Sequence, residues 1–155
     1  MTSQAFVFSA RLDGWKGMRR TIAVRADQTL AVFHDAVRAA FGWDDDHLYA
    51  FWLNGKFWAR DGTEYVHPFA LELDPFAGWD LPMQMPSRES AEQRLDRLAL
   101  ITRQRIAYVF DFGDEWRVRL MLREIVAADF DVYPRVLESV GDAPPQYPDY
   151  EEDAA

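Results

Sequence analysis

Apolar and polar residues alternate from the start of the chain. In segment 5–12, Phe6, Phe8, Ala10 and Leu12 fall on one side with Ser9 and Arg11 on the other, the period of two that a half-buried strand requires. Gly14 and Gly17 bracket a turn. Segment 18–25 then sets Ile22 and Val24 against Thr21, Ala23 and Arg25, so the first two segments read as a hairpin. After it the period lengthens. Leu30, Phe33, Val37 and Phe41, with Ala36 and Ala40 beside them, make the apolar stripe of an amphipathic helix. Asp27 or Thr29 is placed to cap its start, and Gly42 sits where helices end in the left-handed conformation.

Beyond the helix, LYAFWL (48–53) and KFWA (56–59) flank Asn54-Gly55, residues suited to the two positive-φ positions of a type I′ turn, so the spacing predicts a tight hairpin. Asp61-Gly62 predicts a further turn and FALEL (69–73) a short strand. The prolines of 74–86 predict a loop that packs through Phe76, Trp79, Leu81 and Met83. Ser90 and Gln93 read as a capping box opening a helix that turns Leu95, Leu98 and Ala99 inward. The clearest alternation is Ile106, Tyr108, Phe110 and Phe112, followed by Trp116, Val118, Leu120 and Leu122. A two-residue loop at Gly113-Asp114 would set Phe110 against Arg117. A three-residue loop, 113–115, keeps apolar with apolar: Phe112 opposite Trp116, Phe110 opposite Val118 and Tyr108 opposite Leu120, with Asp111 across from Arg117 and Val109 across from Arg119 on the other face. These elements together predict an α+β fold, a mixed or antiparallel sheet of about five to six strands in a β-grasp-like arrangement against two helices.

Composition narrows the picture. With 155 residues, 49% of them hydrophobic and 15% aromatic, the chain is expected to form one domain, residues 1–141. The net charge of −9 is uneven: residues 126–155 carry eight acids against Arg135, which leaves the rest of the chain at −2. Residues 142–155 therefore read as an acidic, flexible tail. There is no cysteine, which removes disulfides, thiol catalysis and cysteine-ligated zinc from consideration. No apolar run approaches the roughly 18 residues of a membrane span and the first residues lack a charged leader pattern, so a cytoplasmic protein without membrane contact is expected. GxSxG, HExxH, Walker and GxGxxG motifs are also missing, and no cofactor is predicted.

Three strings then coincide: the Arg19-Arg20 pair after the first turn, AAFGWDDDHLYAF (39–51), and YVFDFGDEWRVRLMLREI (108–125) followed by Tyr133-Pro134-Arg135. Over about residues 5–145 the chain resembles the family named after the third open reading frame of plasmid pRiA4b, whose members carry a GW-D-DHL-F segment after the first helix and a Y-DFGD-W hairpin later. Met18 stands where that family usually has an aromatic residue. The C-terminal segment GDAPPQYPDY lacks the cysteine of the usual pattern, which removes the support for transferring any role of that segment. The resemblance implies an uncharacterised protein; some relatives travel in mobile elements and are labelled resolvase-like, an association without a mechanism.

The candidate site residues fall into two groups. Trp43, Asp44, Asp45, Asp46 and His47 follow the helix, where carboxylates oppose the macrodipole; they suit a cation or a cationic ligand, or else a capped turn with solvated acids. Asp111, Gly113 and Asp114 supply carboxylates that would converge on the first group if both loops lie at one end of a sheet, or serve as ordinary turn residues with Gly113 at positive φ. Arg19, Arg20, Arg117 and Arg119 form a positive surface that suits phosphates, or ordinary cross-strand ion pairs. Three functions follow. A non-catalytic module binding a protein or small ligand leads, because no catalytic motif is present. A metal-dependent hydrolase or nuclease would use Asp44, Asp45, His47, Asp111 and Asp114, although no metal ligand set is assigned. A DNA-associated accessory protein of mobile elements would use the arginines, with weak support for nucleic acid as partner.

Overall fold

A computed structural model describes residues 3–43, 47–60, 63–72 and 88–144. The two alternating segments at the start become β1 (Gln4–Leu12) and β2 (Arg19–Arg25), antiparallel and in register from Ala5 opposite Arg25 to Arg11 opposite Arg19. The 3.6-period stripe becomes α1 (Leu30–Phe41). Thr29 accepts the Val32 N–H on its side-chain oxygen, 3.2 Å, and Gly42 closes the helix at φ +76°. An L side chain would meet no atom at Gly42, so the requirement there is backbone conformation alone.

Strands β3 (Tyr49–Trp52), β4 (Glu64–Val66), β5 (Glu89–Ser90), β6 (Arg105–Phe110), β7 (Trp116–Ala127) and β8 (Arg135–Val140) complete one sheet ordered β5-β4-β3-β6-β7-β1-β2-β8. Every neighbouring pair is antiparallel except β4 and β5. With α1 and the short α2 (Pro68–Glu72) this is a mixed α+β fold, with eight strands where the periodicity predicts five or six. The additional strands, β4, β5 and β8, have weak alternation and lie at or next to the two edges of the sheet. On the inner face, Phe6, Phe8, Ile22, Phe51, Tyr108, Phe110, Val118 and Leu120 pack with Leu30, Phe33 and Val37 of α1 in the main core. The outer face buries a smaller cluster built on Ala50, Trp52, Val66, Ala107 and Val109.

Several local expectations are corrected. The β6–β7 register is displaced by two residues: Phe110, not Phe112, faces Trp116, Tyr108 faces Val118, and Val109 and Ala107 face Arg117 and Arg119. The loop accordingly runs over 111–115, and positive φ occurs at Asp111 (62°) and Glu115 (51°), not at Gly113. Asn54-Gly55 does turn, with the Gly55 N–H on Trp52 O at 3.1 Å, but 56–59 does not return as a strand. Those residues cross the outer face instead, where Phe57 and Ala59 pack on the small cluster and the Trp52 indole donates to Ala59 O, 3.1 Å, while β4 takes the place beside β3.

Of segment 69–73, residues 69–72 belong to α2 and form no strand. Ser90 lies in β5 and opens no helix; only a single 3₁₀ turn, Leu95–Arg97, follows. The reason is tertiary. The carbonyls of Ala91 and Gln93 accept the N–H groups of Ala31 and Leu30 at the start of α1, and the N–H groups of Leu95 and Asp96 bind Gln28 O and Ala26 O, which holds 91–96 beside the helix start. Leu95 is buried and Leu98 half-buried, as their spacing predicts, whereas Ala99 is exposed. The loop containing Trp79 and the tail beyond Pro144 lie outside the described residues.

Candidate functional site

One end of the sheet gathers the first turn (13–18), the residues after α1, and the 111–115 loop. Trp43 is tied there through its own carbonyl, which accepts from Arg38, 3.0 Å, while its N–H binds Arg38 O. Its ring lies parallel to Phe110, 2° between planes at 5.3 Å, and stacks on Phe41 at 5.0 Å and Trp116 at 5.5 Å. The indole N–H groups of both Trp43 and Trp116 are buried without an acceptor among the described residues. Two adjacent unspent donors inside an aromatic stack are unusual, because buried polar groups are normally paired.

Asp111 is buried and left-handed, a conformation that aspartate tolerates better than most residues. The fold determines it from three directions. Its N–H donates to Leu48 O, 2.9 Å, its carbonyl accepts from Glu115 N–H, and its Oδ1 accepts from the N–H groups of Gly113 (3.1 Å) and Asp114 (3.3 Å). The second oxygen, Oδ2, lies 3.5 Å from Nδ1 of His47, whose ring stands edge-on to Phe110 at 5.5 Å. The two acidic loops therefore meet at one end of the sheet through His47 and Asp111. Asp44, Asp45 and Asp46 lie outside the described residues. Gly113 and Asp114 sit exposed at the loop tip. Among the described residues no three His, Cys, Asp or Glu side chains are grouped for a metal ion.

The predicted arginines divide. Arg20 is buried with its guanidinium donating to Ala40 O (3.0 Å), Arg19 O (3.0 Å) and Val140 O (2.9 Å), and it lies over Phe41 at 5.4 Å. It joins the end of α1 to β2 and β8. Arg19, Arg117 and Arg119 lie on the outer face, paired with Glu138, Glu115 and Asp13. One buried polar group escapes the periodicity reading: His34, on the core side of α1, has Nδ1 2.7 Å from the Tyr108 hydroxyl and stacks on Tyr49 with 3.5 Å between centroids. A histidine one position from Phe33 in an apolar helix stripe is the only sequence signal for it.

These features define a class: an α+β domain with an eight-stranded mixed sheet, with aromatic side chains and the His47–Asp111 pair gathered at one sheet end. The chain belongs to the plasmid pRiA4b ORF-3-like protein family, whose model matches residues 4–149. It is similar in fold to the crystal structure of the protein of unknown function MM3350 from Methanosarcina mazei Go1, with a TM-score of 0.69 and 21% identity over 94% of this chain and 74% of that one. No curated protein matches the sequence. Among the described residues no helix is long and apolar enough to cross a membrane.

Proposed function

We propose that this chain is a non-catalytic binding module, acting in the cytoplasm, that engages a positively charged segment of a protein or a small cationic ligand through the residues around His47 and Asp111. The observation that carries the reading is the approach of His47 to Asp111 at 3.5 Å, which joins the two acidic loops at one end of a rigid sheet. The indoles of Trp43 and Trp116 report on that pair, since Trp43 stacks on both Trp116 and Phe110, and His47 stands edge-on to the same Phe110 ring. Titration of ¹⁵N-labelled protein with a lysine- and arginine-rich peptide tests it. The indole N–H signals of Trp43 and Trp116 are expected to move, and to stop moving in Asp111→Asn. Stationary indole signals at millimolar peptide overturn the reading.

The His47–Asp111 pair also favours a second reading, a metal-dependent hydrolase or nuclease, in which these two side chains and acids of 44–46 hold a divalent ion. A melting temperature that rises with Mg²⁺, Mn²⁺ or Zn²⁺ in the native chain and not in Asp111→Asn supports this reading over the first.

A further inference from the structure

On the outer face of the sheet, at the same end, one cross-strand row sets like charges side by side. Arg11 of β1 is directly opposite Arg19 of β2 on one flank and Arg119 of β7 on the other. Like charges at directly opposed positions repel, so the fold gains nothing from this arrangement by itself. Arg19 has Glu138 at 2.6 Å and Arg119 has Asp13 at 2.9 Å, and Arg117, one pair along β7, has Glu115 at 2.9 Å. Arg11, in the middle and exposed, makes no hydrogen bond or ion pair with any described residue. The buried Nε of Arg19 has no acceptor among the described residues either.

Aromatic side chains surround the row. The guanidinium carbons of Arg117 and Arg119 lie 5.1 and 5.2 Å from the centre of the Phe57 ring. Beside Phe57, Trp58 is 40% exposed, and Trp15, in the turn joining β1 to β2, is 49% exposed. Two exposed indoles thus lie at the sheet end that carries four arginines, one of which has no counterion among the described residues.

We propose that this face binds single-stranded nucleic acid, with phosphates on Arg11 and its neighbours and unpaired bases stacked on Trp15 and Trp58. The exposed indoles favour a single strand, because a duplex offers phosphates but keeps its bases stacked on each other. The carboxylates on Arg19, Arg117 and Arg119 are exposed partners of weak ion pairs, which a phosphate displaces at little cost. The surface lies on the opposite face from Trp43 and Phe110 and meets the cationic-ligand site at Glu115, the partner of Arg117, and at Phe112, edge-on to Trp58.

Fluorescence anisotropy of a labelled oligothymidylate of about 15 nucleotides, at roughly 50 mM salt, tests the proposal with the full chain. Binding is expected to weaken as salt rises, to fall about tenfold or more in Arg11→Glu, and to fall by about 5-fold in each of Trp15→Ala and Trp58→Ala. A duplex of equal length is expected to bind less tightly. Circular dichroism melts of the three variants, all altered at exposed positions, confirm that they fold. The proposal is overturned by absence of binding at about 100 μM protein, by unchanged affinity in Arg11→Glu, or by tighter binding of the duplex. It is equally overturned if both tryptophan variants bind as the native chain does and inorganic polyphosphate competes as well as the oligonucleotide, the signature of an indiscriminate polyanion surface.

Discussion

Asp111 shows how one side chain holds a loop. Its left-handed backbone costs most L residues about 1–2 kcal/mol, and its Oδ1 satisfies two loop N–H groups that would otherwise lack an acceptor. Asparagine keeps Oδ1 and tolerates the same backbone; alanine does neither. Asp111→Asn is therefore expected to cost less than about 1 kcal/mol in urea denaturation and Asp111→Ala about 2–3 kcal/mol, adding the backbone term to roughly 1 kcal/mol per lost bond. Equal costs for the two would show that the turn does not depend on the carboxyl oxygen. The sequence marks Asp111 as a turn residue, but assigns the positive φ to Gly113, because glycine is the usual solution and the contact with Leu48 is invisible in a local string.

At the scale of elements, the β6–β7 hairpin separates what alternation decides from what it leaves open. A shift of two residues preserves every inward and outward assignment, so the pattern alone admits both a three-residue and a five-residue loop. Strand β3 breaks the tie, pairing Tyr49 with Phe110 and Phe51 with Tyr108, and Phe112 is left beyond the last pair, edge-on to Trp58 at 5.3 Å. Phe110→Ala, at a fully buried site, is expected to cost about 3–5 kcal/mol, and Phe112→Ala, at a half-buried one, no more than about 2 kcal/mol. The reverse order, measured by chemical denaturation, would restore the three-residue loop. The capping box at Ser90 fails for a related reason: the backbone that a helix would use is already bonded to the start of α1.

For the molecule as a whole, Arg20 is the tie between layers. Its guanidinium reaches a carbonyl at the end of α1 and carbonyls of β2 and β8, so the helix, β2 and the edge strand share one charge. Arg20→Met keeps much of the buried stem but leaves three acceptors without this donor. We expect a loss of about 3 kcal/mol, in line with charge-assisted bonds, together with faster amide exchange at Ser139 and Val140 of β8. A change below about 0.5 kcal/mol would mean that β8 is held by its pairing with β2 alone.

The sequence by itself determined the features whose physics is local. The period of two in 5–12, 18–25 and 106–122 and the period of 3.6 in 30–41 follow from side-chain direction, and Thr29 and Gly42 mark helix ends through their own conformational preferences. The α+β class and the family resemblance follow from these strings. Tertiary structure alone decided the partner of β3, the β6–β7 register, the path of 91–96 beside α1, the meeting of His47 with Asp111, and the row that sets Arg11 between Arg19 and Arg119. Each of these joins residues distant in the chain. Such contacts are selected by which buried backbone groups and side chains remain to be satisfied once the sheet has closed around its core, and no local period records that choice.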